Sequence, residues 1–253
     1  MKAYFILDFD DCLFEHPHDN FHYGLSNAFV DAIEEIYAPS ESRERLLTRV
    51  QNGFSEYGIK AFTRDNFVFA DELYDPMRLY VRMFEIFTQN YMTENDIAHI
   101  RRVGDKYRDV LNNQNFEISI LTHSTTQYVL DVLRLMGLEG SVPEYRVIGL
   151  DKTDLLLKSE SVSGFYMALA SFGLSVEMLK HNPFINLFFL DDHVENLFIP
   201  SKIGIQSVHV DKKAETSLVL NAYHKKVSSL KNFTDFIQNY LYVFQSRFAY
   251  EPR

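Results

Sequence analysis

Ala3-Tyr4-Phe5-Ile6-Leu7-Asp8-Phe9-Asp10-Asp11-Cys12 is the stretch that decides the fold. Ala3 to Leu7 form an apolar run that ends abruptly in carboxylates, the pattern of a strand buried on both faces of a parallel sheet. From there to about residue 91 the chain reads as helix alone. Leu25, Phe29, Ala32, Ile33 and Ile36 share one helical face, and Pro39 stops it. Leu46, Leu47, Val50 and Phe54 make a second face. After Pro76, Leu79, Tyr80, Met83, Phe84 and Phe87 make a third. A further helix begins near Thr93, with Ile97, Ile100, Tyr107 and Leu111 turned inward.

Beyond that helix the pattern alternates. Ile118 to Leu121, Tyr145 to Leu150, Asn186 to Leu190 and Gln206 to Val210 read as strands. Ser124 to Gln127 has the form of a capping box, Ser-Thr-Thr-Gln, for a helix that ends near Gly137. A helix carrying Phe165, Leu169 and Phe172 ends at Gly173. Pro200 limits a short helix after the strand at Asn186, and the tail from Ser228 to about Ser246 reads as helix. Strand and helix in alternation predict an α/β fold, a doubly wound parallel sheet that binds ligands at the carboxyl ends of its strands. Residues 1–15 and 92–253 are then the core, and 16–91 an inserted all-helical cap above that edge.

Four polar clusters each sit where this reading puts the ligand edge. They are Asp8-Phe9-Asp10-Asp11-Cys12, Thr122-His123-Ser124, Lys158 in a loop before a helix, and Asp191-Asp192 after the strand at Asn186. Any one alone has a plain structural meaning: a helix cap, a hydroxyl in a turn, a surface ammonium. Two carboxylates at a buried strand end, however, repel each other unless a cation lies between them.

The order Asp-x-Asp, Thr, Lys, Asp-Asp resembles the four motifs of haloacid dehalogenase (HAD) superfamily phosphatases, over nearly the whole chain and with a helical cap between the first two. That resemblance implies a Rossmann-like core and a Mg²⁺-dependent phosphomonoester hydrolase. Asp8 would be the nucleophile that becomes an aspartyl-phosphate, and Asp10 the general acid and base. Thr122 and the backbone N–H of His123 would hold phosphoryl oxygens, and Lys158 would neutralise nucleophile and phosphate. Mg²⁺ would be held by Asp8, the carbonyl of Asp10 and Asp192, with Asp191 close by. The dehalogenases that name the superfamily lack an acid at the place of Asp10 and do not need magnesium.

Asp8 to Phe14, Glu56-Tyr57-Gly58 and Phe189 to Asn196 are further similar to the pyrimidine 5′-nucleotidase-like branch, which implies nucleoside monophosphates as substrates. Departures are Cys12 in place of Thr, His123 where a small residue or Asn is usual, Ser159 in place of Pro, and Pro200 in a helix that is usually continuous. A phosphomutase and a non-catalytic binding protein of the same fold remain alternatives. A signalling receiver domain is excluded, because its acidic pair and its phosphoacceptor come in the opposite order.

Composition narrows the partners. The 253 residues carry a net charge of −10, which disfavours nucleic-acid polymers and anionic membranes and leaves a small phosphorylated substrate. A single cysteine, Cys12, permits no internal disulfide, and Met1 to Leu7 is too short a run for a leader, so a cytoplasmic setting is expected. Cys12 reads as a small packing residue. Twenty-two Phe and 15 Tyr without Trp predict aromatic cores; Tyr57, Phe62, Phe67 and Phe69 read as packing residues, with base stacking as the other meaning. His16, His18 and His22 read as a solvated linker, a transition-metal site and a hinge contact to substrate being the alternatives.

Overall fold

The computed structural model describes residues 2–17, 21–58, 61, 68–69, 73–182, 184–211, 219–220, 224–235 and 237–239. Its centre is β1 (Ala3–Leu7), which pairs in parallel with β2 (Phe116–Leu121) on one side and β4 (Asn186–Asp191) on the other. β3 (Val147–Ile148) lies beyond β2. β5 (Gln206–Val210), β7 (His224–Val227) and β6 (Val219–Leu220) lie beyond β4. The order is β3-β2-β1-β4-β5-β7-β6, parallel except for the β6–β7 pair.

Side chains alternate across β1. Phe5 and Leu7 enter one hydrophobic layer, with Ile100, Val103 and Tyr107. Ile6 enters the other, with Phe165, Leu169 and Phe189. Both faces are covered, which explains the unbroken apolar run. The first layer is aromatic: the Phe5 ring lies 4.8 Å from Phe116 and 5.7 Å from Phe188, and Phe188 meets Phe233 at 5.2 Å.

The helices between β1 and β2 are α1 (Phe21–Tyr37), α2 (Arg43–Tyr57), α3 (Pro76–Ile86) and α4 (Glu94–Leu111). Asp75 caps α3 by accepting from the amides of Met77 and Arg78, with Pro76 in the first turn where its missing N–H costs nothing. A π-helical turn, Phe87–Tyr91, follows α3, and Thr93 and Asp96 form a reciprocal capping box that starts α4. Among the described residues the cap shares its core with the sheet. Phe29, Phe69 and Phe87 belong to the same buried cluster as Phe5 and Phe9. Phe69 stacks on Phe29 and carries Arg49 over its ring, so it packs as expected, whereas Tyr57 is exposed. Phe62 and Phe67 lie outside the described residues.

After β2 come α5 (Thr126–Leu135), α6 (Ser163–Ser171), α7 (Val176–His181) and α8 (Phe198–Lys202). Gly104 of α4 lies against the Met136 carbonyl, where a Cβ would collide. No helix among the described residues is long and apolar enough to cross a membrane.

Several local readings need correction. The strand expected at Tyr145 to Leu150 is only β3; Glu144–Arg146 form a 3₁₀ turn, because this edge strand is paired on one side alone and needs to match just Ile120 and Leu121. The cap of α5 is Thr125, which accepts from Tyr128 N, and not Ser124, whose hydroxyl bonds a carboxylate instead. Pro200 does not limit α8 but sits within its first turns, after a 3₁₀ turn at Val194–Leu197. In the tail, 230–235 and 237–239 are helical; the expected remainder to Ser246 lies outside the described residues.

Candidate active site

Register alone brings the acidic groups together. Leu7 pairs with Leu190, and the amide of Asp8 donates to the Leu190 carbonyl at 2.8 Å, so Asp8 and Asp191 leave adjacent strands at the same level. This is the point where the order of strands reverses about β1, the usual place for a ligand crevice. Leu7 also pairs with Ile120 on β2, which sets Thr122 beside Asp8.

Lys158 closes the arrangement. It is 4% exposed, and its Nζ lies 2.6 Å from Asp8 Oδ1 and 2.6 Å from Asp191 Oδ2. Burial works against the ammonium, but Asp191 and Asp8 outweigh it, so its pKa rises and it stays charged. Asp191 is wholly buried and saturated. Its Oδ1 accepts from His193 N at 2.8 Å and from Asn196 Nδ2 at 3.0 Å, and its Oδ2 accepts from Lys158. Asp191 therefore orients Lys158.

Asp8, Asp191 and Asp192 place carboxylate oxygens within 4.8 Å of one another. One ammonium among three carboxylates leaves an excess of two negative charges. Burial first, then Asp191, push the Asp8 carboxyl well above its usual range, against the pull of Lys158. Burial likewise raises Asp192, with His193 opposing. Asp192 Oδ1 is buried and makes no hydrogen bond among the described residues. A buried unpaired acceptor beside excess negative charge is what a hard divalent cation would relieve, and all-oxygen donors of this kind suit Mg²⁺. Asp8 and Asp192 fit that ion; Asp191, already fully engaged, supports them.

Asp10 is held apart from this cluster. Its Oδ2 accepts from Ser124 Oγ at 2.5 Å and its Oδ1 lies 3.0 Å from His16 Nε2. The turn after it is tight: Asp11 has φ 57°, and its amide donates to the Phe14 carbonyl at 2.7 Å. His16 stacks on Phe21 at 4.6 Å and reaches Asp11 as well. It is thus a partner of Asp10, while His18 and the side chain of His22 lie outside the described residues.

Thr122 Oγ1 accepts from Ser124 N at 3.0 Å, which leaves its own O–H to donate. His123 Nε2 accepts from the backbone amide of Lys158 at 3.1 Å, and Tyr80 of α3 donates its hydroxyl to the His123 carbonyl, tying cap to core. Burial, with Lys158 and His193, lowers the His123 pKa well below the usual value, so the ring is neutral. Cys12 is buried, its thiol near the Leu190 carbonyl, and burial raises its pKa; it packs, as expected.

Asp8, Asp10, Thr122, His123, Lys158 and Asp192 thus line one cleft of about 520 Å³, bounded above by cap residues, with Asp191 beneath. Three contributors escaped the sequence reading. The Ser124 hydroxyl was assigned to a helix cap. Asn196 stood within a quoted stretch without a role. Tyr80 was indistinguishable from other core aromatics on its helix.

No protein-family model matches this chain, and no curated protein matches it. Solved structures do. A 2-haloacid dehalogenase from Pseudomonas syringae pv. Tomato DC3000 is 13% identical with a TM-score of 0.52, over 95% of this chain and 100% of that one. The L-2-haloacid dehalogenase from Xanthobacter autotrophicus is 12% identical with a TM-score of 0.51, over 94% of this chain and 99% of that one. Identities this low speak for architecture alone: a parallel sheet with a helical cap inserted after its first strand, the fold of the haloacid dehalogenase superfamily.

Proposed function

We propose that the protein is a Mg²⁺-dependent phosphomonoester hydrolase acting through Asp8 on a small phosphorylated metabolite, nucleoside monophosphates being the first candidates. The observation that carries this reading is the second carboxylate, Asp10, clamped by Ser124 and His16 in the same cleft as Asp8. An alkoxide leaving group must be protonated, whereas a halide leaves without a proton. A clamped acid in the cleft of Asp8 therefore favours ester cleavage over dehalogenation, despite the dehalogenase architecture.

In this mechanism an Asp8 carboxylate oxygen attacks phosphorus and the P–O ester bond breaks. Asp10 gives its proton to the departing oxygen. Asp10 then takes a proton from water, whose oxygen attacks phosphorus and breaks the bond to Asp8, releasing phosphate. The Thr122 hydroxyl and the His123 backbone N–H hold the non-bridging oxygens, and Lys158 offsets their charge. Asp8, Asp192 and the Asp10 carbonyl would hold Mg²⁺, which when bound neutralises phosphoryl charge.

The test is release of phosphate from a monophosphate panel and of chloride from 2-chloropropionate, with Mg²⁺, with EDTA, and with Asp8→Asn. Phosphate release that both EDTA and Asp8→Asn abolish supports the reading. Chloride release that survives EDTA would replace it with dehalogenation.

A further inference from the structure

Away from the carboxylates the cleft changes character. Its cap wall is Leu25 of α1, Phe54 of α2, and Met83 and Phe84 of α3. Among the described lining residues Lys158 is the one ammonium or guanidinium, and it is committed to Asp8 and Asp191. Asp11 adds a carboxylate to the rim. A second phosphate or carboxylate on a substrate would meet hydrocarbon at this wall and, among the described residues, lose its hydration without a counterion. An uncharged apolar or aromatic group would gain by burial.

Two neutral donors belong to residues that line the cleft. The Tyr128 hydroxyl is buried in a residue that lines the cleft, and it makes no hydrogen bond among the described residues. Its ring lies 4.5 Å from Phe84, at the seam of cap and core. Burial, with Asp10 nearby, keeps the phenol protonated, so its O–H is available to an acceptor. His123 is the second donor. Because Nε2 accepts from the Lys158 amide, the single proton of the neutral ring is on Nδ1, and no described residue receives it. A buried donor such as the Tyr128 hydroxyl is rarely left without an acceptor, and it costs stability while it is.

We propose that the substrate's leaving group is uncharged and mainly apolar or aromatic, carries a hydrogen-bond acceptor met by Tyr128 and His123, and bears no second anionic group. This rests on the phosphohydrolase reading and deepens it. It also opposes the phosphomutase alternative, since among the described lining residues Lys158 is the one ammonium or guanidinium and cannot serve both ends of a bisphosphate.

The test compares four probes with Mg²⁺: naphthyl phosphate, methylumbelliferyl phosphate (of similar size, with a carbonyl acceptor), glucose 6-phosphate and glucose 1,6-bisphosphate. Both kcat/KM on the native protein and Kd on Asp8→Asn are measured. The aryl esters should exceed both glucose phosphates at least tenfold. Tyr128→Phe should fold with unchanged or higher stability, and should lower the methylumbelliferyl-to-naphthyl ratio about tenfold. Leu25→Lys should shift preference toward the bisphosphate. A bisphosphate or sugar phosphate that equals the aryl esters overturns the proposal, as does a ratio that Tyr128→Phe leaves unmoved. If no probe is hydrolysed, the reaction reading fails, and the Kd ranking still decides the specificity.

Discussion

Replacing Lys158 by Met removes the ammonium, with its charge and its hydrogen bonds to Asp8 and Asp191, and leaves an apolar side chain one heavy atom shorter. In the native site the ammonium lies 2.6 Å from one oxygen of Asp8 and 2.6 Å from one of Asp191, with its side chain 3% exposed. Without it Asp8, Asp191 and Asp192 carry three negative charges and no counterion. Removing one partner of a buried ion pair costs about 3–5 kcal/mol. For a chain of 253 residues that corresponds to a fall in Tm of about 6–20 °C, at roughly 2–4 °C per kcal/mol. The loss should be largest in EDTA and smaller in millimolar Mg²⁺, because a divalent cation replaces part of the missing positive charge. Thermal melts of both proteins, with EDTA and with Mg²⁺, give the four numbers needed. A loss below about 1 kcal/mol in EDTA, or an equal loss in both conditions, would refute the view that Lys158 balances a carboxylate cluster built around a cation.

Other outcomes follow from the same geometry. Ser124→Ala removes a charge-assisted bond to Asp10 and should lower kcat about 10–100-fold with little change in KM, read by steady-state kinetics. Asn196→Ala frees Asp191 to turn away from Lys158 and should weaken Mg²⁺ affinity about 10–100-fold, as measured by titration calorimetry. His123 has a lowered pKa in the fold, so the unfolded chain binds its proton first as pH falls. Native stability should therefore decline below about pH 6.5, by up to about 1.4 kcal/mol per pH unit, and denaturant melts of His123→Gln should lack that decline. Gly104→Ala drives a methyl into the Met136 carbonyl and should destabilise by at least about 1–3 kcal/mol in the same assay.

Where the candidate site lies was more legible than the contacts within it. Asp8, Thr122 and Asp191 fall at strand ends, and strand ends can be read from where an apolar run stops, so the convergence of these residues on one edge followed from periodicity alone. The partners of Asp10 could not be read in this way. Ser124 has the composition of a helix cap, and whether its hydroxyl meets an amide or a carboxylate depends on how β2 and the loop after β1 sit against each other. His16 and Tyr80 come from the cap, whose placement over the sheet is a tertiary fact with no local signature. β6 and β7 escaped notice for a different reason: at two and four residues, with His and Lys among them, they carry no run long enough to show a period.

Phe29, Phe69 and Phe87 share one buried cluster with Phe5 and Phe9. Cap and core should accordingly melt as a single cooperative unit, and the cap should not survive as an isolated fragment. The same continuity constrains how this cap could be exchanged. A cap transplanted from elsewhere would have to reproduce the aromatic seam around Phe21, Phe84, Phe87 and Tyr128 before it could offer any new leaving-group pocket. Under the proposed specificity, the rings that hold the fold together would also choose the leaving group.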